Sequence, residues 1–495
     1  MVETRRDVMI GALAGATAMG LGGLEAQAQT VTTRYSATSP QGKAMLAKYA
    51  KAVDIMRNKI PVGDPRHWNF QWYTHWIPGS SNWNQAVQIK NQFLQQVYGS
   101  QPSPNRDLAQ AMWDSCQPHS RDPGDPTRFQ GTFFLPWHRW FVYYFEQIIR
   151  GVLQDSSFAL PYWDYLQGPV AALSIPPEFT DQANPLYMRN RNTWVNQGQR
   201  IDLKNPGALN LGAFKYAYYI STDGSTGFCP TLNNNPHGLV HDFTGDGTNM
   251  GNVPTAANDP VFWLHHCNID RLWASWNNMG YVNPGWGTTR LFPFANAQGK
   301  RVDVLLNNAT STGQLGYRYD TYQKVPGAKL LRAPLFLKTP PLAATAGAPA
   351  EHHGGVTLSA SAPTVLKLAA SPRVNSGNLL AAAPPAKGGG VFLALSGVTA
   401  DEAFGGTYNV YVGLPEGATP GGTDSLNYVG TFGSFNLVGH EHDPAAGPSL
   451  VFDITDKAAE LTAKGQLPAS PSVTFAPQGE ITKPPSVASV SIVTV

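Results

Sequence analysis

The residues in this sequence best suited to chemistry are its histidines. Twelve are present, and seven of them stand in two groups. His237-Gly-Leu-Val-His241 is an i, i+4 pair, which on a helix directs both imidazoles to one face. His265 and His266 follow in VFWLHHCNIDRLW, a second helical pattern. The other group is His75 in QWYTH, His119 in CQPH and His138 in FLPWHRWFVYYFE. Neutral imidazoles suit copper, zinc, nickel or iron, whereas magnesium and calcium take oxygen ligands. The helical patterns contain no Glu-x-x-His, which argues against a carboxylate-bridged di-iron bundle. Spacing alone leaves copper and zinc both open.

The elements that must carry these side chains can be read from periodicity. Over Phe133 to Leu153, Trp140, Tyr143, Tyr144, Gln147 and Ile148 recur at helical steps, and Asp259 to Trp276 repeats the pattern behind an Asp-Pro start. Aromatic-rich helices and long loops over residues 40–330 predict a mainly α central domain. Between 331 and 390 the composition shifts to Ala, Pro, Gly and Ser, which predicts a linker. From 391 to 495, β-branched and aromatic runs such as VFLALSGV and TYNVYVGLP alternate with turn residues, which predicts a C-terminal β-sandwich. The chain of 495 residues is long enough for two or three domains. A formal charge of +2 gives no electrostatic case for nucleic acid, and three cysteines cannot build a disulfide framework. Residues 1–28 read as a removable twin-arginine export signal: Arg5-Arg6, a mildly apolar stretch from Val8 to Leu24, then Ala26-Gln27-Ala28. No later apolar run is long enough to span a bilayer, so the mature chain is expected to be periplasmic or secreted, without a membrane partner.

FLPWHRWFVYYFE, PHGLVH and DPVFWLHHCNIDRLW resemble the two copper-binding signatures of the tyrosinase, catechol oxidase and haemocyanin superfamily. GYRYD, from Gly316 to Asp320, resembles the tyrosine-x-tyrosine marker of its central domain. YNVYVGLPEGA and YVGTFGSF resemble the C-terminal domain of plant-type polyphenol oxidases, which shields the active site. The resemblance implies a four-helix-bundle core with two copper ions, each held by three histidines. His75, His119 and His138 would hold the first, and His237, His241 and His266 the second. It implies oxidation of o-diphenols to o-quinones with reduction of dioxygen to water. An o-aminophenol oxidase is the close alternative, a haemocyanin-like dioxygen carrier and a zinc hydrolase more distant ones. Phe262, one turn before His266, would pack on a ligand ring, while Asp259 and Asp270 would orient backbone or ligands from behind.

The sequence departs from the family pattern in three places. His119 and His138 are separated by a longer, turn-rich insert, RDPGDPTRFQG. Cys116 lies one residue further from His119 than in relatives that crosslink these side chains through a thioether. Relatives that hydroxylate monophenols place a glutamate and an asparagine around the counterpart of His237 to hold a basic water, whereas this chain has Asn233 and Gly238. An amide cannot take up a proton as a carboxylate can, and glycine cannot orient water. Asp242 is the candidate substitute. Strong diphenol oxidation and weak monophenol hydroxylation are therefore expected, with Gly238→Asn raising the latter. Comparable rates on tyrosine and on its catechol analogue in the unaltered enzyme would contradict this.

Overall fold

A computed structural model describes residues 31–75, 83–115, 133–166, 170–221, 225–286, 291–325, 350–370, 390–435, 437 and 450–494. Residues 1–28, Cys116 and His119 lie outside these. No helix among the described residues is long and apolar enough to cross a membrane.

The central part begins with strand β1 (Thr32–Arg34) and helix α1 (Pro40–Asn58). Ser39 caps α1 by accepting from the Gly42 amide, Pro40 supplies a preset first turn, and Leu46, Tyr49, Val53 and Met56 form its buried face. Gly42 has to be glycine, because a Cβ there would lie 1.9 Å from the Ser36 carbonyl. Three helices follow: α2 (Trp68–Tyr73), α3 (Trp83–Tyr98) and α4 (Pro104–Ser115). Helix α5 (Phe134–Leu153) matches the aromatic periodicity and ends at Gln154, whose left-handed φ of 53° closes the last turn. The short helices α6 (Thr193–Asn196), α7 (Phe228–Leu232) and α8 (Leu239–Thr244) lead to α9 (Val261–Asn278). Every residue of α9 from Val261 to Trp276 is buried, so it forms the axis of the core. It packs on α5 through Phe145 and Trp263, stacked with ring centroids 3.5 Å apart.

A helix buried all round must pair every charge it carries. Asp270 accepts from Arg139 Nε at 2.5 Å and from the Tyr317 and Tyr319 hydroxyls at 2.6 Å each. Arg34 lies 3.4 Å from Asp270 and binds Glu146 of α5 at 2.9 Å. Strand β4 (Tyr317–Tyr319) brings the two tyrosines here by pairing in parallel with β1, and strands β2 (Leu291–Ala295) and β3 (Arg301–Leu305) form a hairpin before it. The tyrosine-x-tyrosine marker is thus an anchor for α9. Burial opposes ionisation of Asp270, but Arg139 and Arg34 outweigh it and hold the carboxyl below its ordinary range. At the other charged sites, Arg271 pairs with Asp164 at 2.6 Å, and Arg191 grips both oxygens of Asp259 at 2.7 Å while Asp259 also accepts from the Val261 amide.

The C-terminal part is a β-sandwich. One sheet runs β11-β8-β13-β5-β7 and the other β10-β9-β12-β6, with neighbouring strands antiparallel. The strands are β5 (Ala350–Thr357), β6 (Thr364–Lys367), β7 (Ala369–Ala370), β8 (Val391–Ser396), β9 (Thr407–Val412), β10 (Tyr428–Gly433), β11 (Leu450–Asp453), β12 (Ser472–Gln478) and β13 (Ser486–Thr494). Helix α10 (Thr455–Ala463) follows β11. Leu393, Leu395, Val490 and Ile492 of one sheet meet Val410, Val412, Phe432 and Phe475 of the other in a shared core. Strands β5 to β7 correct the linker expectation, since they fall inside 331–390. AEHHGGVT lacks an alternating apolar pattern, and its place in the sheet comes from backbone pairing with β13. The β domain therefore begins by Ala350.

Replacing Asp270 with Ala leaves the buried Arg139 guanidinium without its carboxylate, while Arg34 keeps Glu146, and is expected to cost about 3–5 kcal/mol of stability. Urea unfolding of the full chain measures this, and a loss under about 1 kcal/mol would show that the pairing does not hold α9 in place.

Candidate metal centre

His75 stands just beyond α2, its amide bonded to the Trp72 carbonyl, and His138 lies in the second turn of α5. Their Nε2 atoms are 3.2 Å apart. His138 Nδ1 donates to the Phe134 carbonyl at 2.8 Å, which fixes the ring and turns Nε2 toward His75. Burial pushes the His75 imidazole down to about 4.

The second group forms where a wide helical turn, Asn233–Gly238, runs into α8 opposite α9. His237 Nδ1 donates to the Asn233 carbonyl at 3.1 Å and His241 Nδ1 to the Met250 carbonyl at 2.8 Å, with the two rings 4.7 Å apart. His241 Nε2 lies 3.4 Å from His266 Nε2. His237, His241, His265 and His266 offer ligand atoms that all lie within 4.8 Å of one another, and all four are buried. His265 differs in that its Nδ1 is bonded to the Tyr165 hydroxyl at 2.9 Å. The two groups adjoin through His138 and His266, stacked at 4.4 Å and 17°. Phe262 sits among them, 4.1 Å from the His266 ring, 5.0 Å from His75 and 5.8 Å from His241.

Desolvation, reinforced by neighbouring imidazoles, holds His241, His265 and His266 well below the ordinary histidine range. Neutral rings keep the lone pairs that a metal needs, and a donor set made only of nitrogen fits copper or zinc rather than a hard cation. Among the described residues His266 Nδ1 is buried with no hydrogen-bond partner, which leaves the orientation of that ring to Phe262 and to whatever its Nε2 binds. The residues present fit a cation of the copper or zinc type.

The other expected residues take the following positions. Asp259 and Asp270 hold the start and middle of α9 through arginines and tyrosines, and so support the histidines through the backbone. Asn233 serves His237 through its main-chain carbonyl, and Gly238 lies buried in the same turn. Asp242 does not face the metal groups as a free base. Its Oδ1 accepts from the Ser434 hydroxyl at 2.9 Å and the Phe435 amide at 3.1 Å, both from the C-terminal domain. Burial pushes this carboxyl up to about 7, against the pull of those hydrogen bonds. His67 caps α2 by accepting from the Asn69 amide, Cys229 and Cys267 are buried, and His440 and His442 lie outside the described residues.

Phe435 escaped the sequence reading. Its ring lies parallel to His241 at 3.8 Å and 4°, and edge-on to His237 at 5.6 Å. The signal was the Gly-Ser-Phe turn closing β10, but no pattern in a strand end says what another domain will place opposite it.

A helical core that presents two adjoining groups of buried imidazoles defines a histidine-based metalloprotein. The common central domain of tyrosinase matches residues 66–208 and 177–279, and a domain of unknown function, DUF7868, matches 346–494. Residues 66–279 are thus similar to the central domain of the tyrosinase family. Tyrosinase HcTyr1 of Hahella sp. (strain CCB-MM4) is 31% identical over 309 residues, 55% of this chain and 60% of that protein. The chloroplastic polyphenol oxidase A1 of Vicia faba is 28% identical over 316 residues, 57% of this chain and 46% of that protein. The matches thus span about half the length of these relatives. In fold, latent apple tyrosinase superposes with a TM-score of 0.58 at 22% identity, covering 94% of this chain and 97% of the other. A latent aurone synthase (polyphenol oxidase) gives 0.60 at 18%, covering 94% and 89%.

Removing the Phe262 ring, as in Phe262→Ala, takes one aromatic wall from three imidazoles at once. It is expected to lower metal affinity by about 10- to 100-fold, the usual effect of losing an outer-shell support, measured by competition with a chelator. Unchanged affinity would make Phe262 a packing residue alone.

Proposed function

We propose that the protein is an exported binuclear copper oxidase that converts o-diphenols to o-quinones as dioxygen is reduced to water, with weak hydroxylation of monophenols. The observation that carries this reading is the stacking of His138 on His266, which joins two groups of neutral imidazoles inside an aromatic wall. His75, His119 and His138 would hold one copper ion, and His237, His241 and His266 the other. Copper so held supplies the binding of dioxygen and the electron transfer that organic side chains cannot provide. The chain's own part is to keep the imidazoles neutral by burial, to lock three rings by main-chain carbonyls, and to restrict rotation with Phe262. Export rests on the Arg5-Arg6 segment and the Ala26-Gln27-Ala28 site.

The parallel stack of Phe435 on His241 supports a closed, latent form, because it covers the face on which a phenol ring would lie. Two neighbours in fold are described as latent forms, and the same reading suits this chain.

Metal analysis of the purified chain is expected to give two coppers, and both His138→Ala and His266→Ala are expected to lower that content and abolish catechol oxidation. A single tightly bound metal, or zinc in active enzyme, would overturn the assignment. Latency has its own check. Phe435→Ala in the uncut chain is expected to raise catechol turnover by about 3- to 10-fold, the worth of one aromatic stack. Cleavage between Val325 and Ala350 should act in the same direction. Equal rates before and after both changes would make the C-terminal domain a stabilising module only.

A further inference from the structure

The turn that ends β10 makes two kinds of contact with α8 at consecutive residues. The Phe435 ring stacks on His241, and the amide of the same residue donates to Asp242, 3.1 Å from Oδ1 and 3.3 Å from Oδ2. The Ser434 hydroxyl adds a second donor at 2.9 Å. The approach is a fitted one, since a Cβ at position 433 would lie 2.1 Å from Asp242 Oδ2, and only glycine lets the strand end come so near.

Within Phe435 the ring and the donating nitrogen are joined by two carbons. The unit that fills the site is therefore a 2-arylethylamine skeleton, with its ring on an imidazole and its nitrogen on a carboxyl group. We propose that Asp242 is a specificity-determining residue, that the open site selects phenols carrying a 2-aminoethyl arm, and that Ser434-Phe435 is an internal copy of that ligand. This rests on the reading of the site as one that binds phenols, but it concerns recognition and not the oxidation step. When the turn leaves, Asp242 loses the donors it now has, and an amine restores one of them while the ring restores the stack. An analogue ending in a carboxylate brings acceptors against an acceptor and leaves Asp242 unsatisfied, which is a penalty as well as a missing attraction. His241 and Asp242 are adjacent in sequence, so ring and arm are read by one rigid turn of helix.

The test uses the full-length, copper-loaded chain with Gly433→Val and Phe435→Ala, which push the turn's donors off Asp242 and vacate the ring position. Calorimetry measures the binding of 2-phenylethylamine and 3-phenylpropionate, neither of which has a phenol hydroxyl to be oxidised. The amine is expected to bind about 10-fold more tightly than the acid, the worth of one hydrogen bond to a charged group. Adding Asp242→Asn should bring the two affinities within about 2-fold of each other, because the amide both donates and accepts. Equal affinities with Asp242 present, or a preference that survives Asp242→Asn, would overturn the proposal. Should that variant fail to fold, Gly433→Val alone displaces the turn and allows the same comparison. In turnover, the catechol bearing a 2-aminoethyl arm should beat the one bearing a 2-carboxyethyl arm through KM rather than kcat. If amines bind selectively and no catechol is oxidised, the enzymatic reading fails and this one stands; if catechols are oxidised without preference, the reverse holds.

Discussion

Burying α9 on every side is the constraint from which the rest of the structure follows. Asp270 and Arg271 sit on that helix with no access to water, and a buried charge left alone costs several kcal/mol. Each has its own partners: Arg139, Arg34, Tyr317 and Tyr319 for Asp270, and Asp164 for Arg271. Those partners come from β1, α5, β4 and the segment after α5, so the helix can take one rotation and one register only. The same registration points His265 and His266 toward α8. The ion pairs act less as glue than as an indexing device.

Once α9 is indexed, the chemistry of the site follows from exclusion of water. Imidazoles in such a place do not take up a second proton, and one nitrogen lone pair on each stays available. Main-chain carbonyls of Phe134, Asn233 and Met250 choose which nitrogen points inward on His138, His237 and His241. His266 has no such carbonyl, and Phe262 substitutes for it by packing. Backbone and aromatic wall thus divide the work of orientation between them.

How much of this was legible beforehand depended on how local the cause was. Helices α5 and α9 were plain because their aromatic residues recur at helical steps and their burial is a property of the segment itself. The histidine pairs were plain for the same reason. Tyr317 and Tyr319 could be recognised as a marker, but their hydroxyls find Asp270 only after β4 has paired with β1, a contact made across most of the central domain. Strand β5 was read as linker because the ladder that orders it belongs to β13, and its own side chains carry no alternation. Asp242 was read as facing the metal groups because it follows His241. Its direction is set by a turn of another domain, which helical periodicity cannot report. Phe435 was missed on the same account: its role is a relation between surfaces and leaves no trace in either one alone.

Gly433 gives the closed state an uneven standing under mutation. The strand end reaches Asp242 only because one side chain is absent, so any substitution that adds a Cβ there pushes the turn away from α8. Changes at Ser434, Phe435 or Asp242 each remove a contact as well. Many single steps therefore lead out of the closed arrangement, while returning to it requires one particular residue at each of several positions. A lineage can shed this form of restraint readily and regain it rarely.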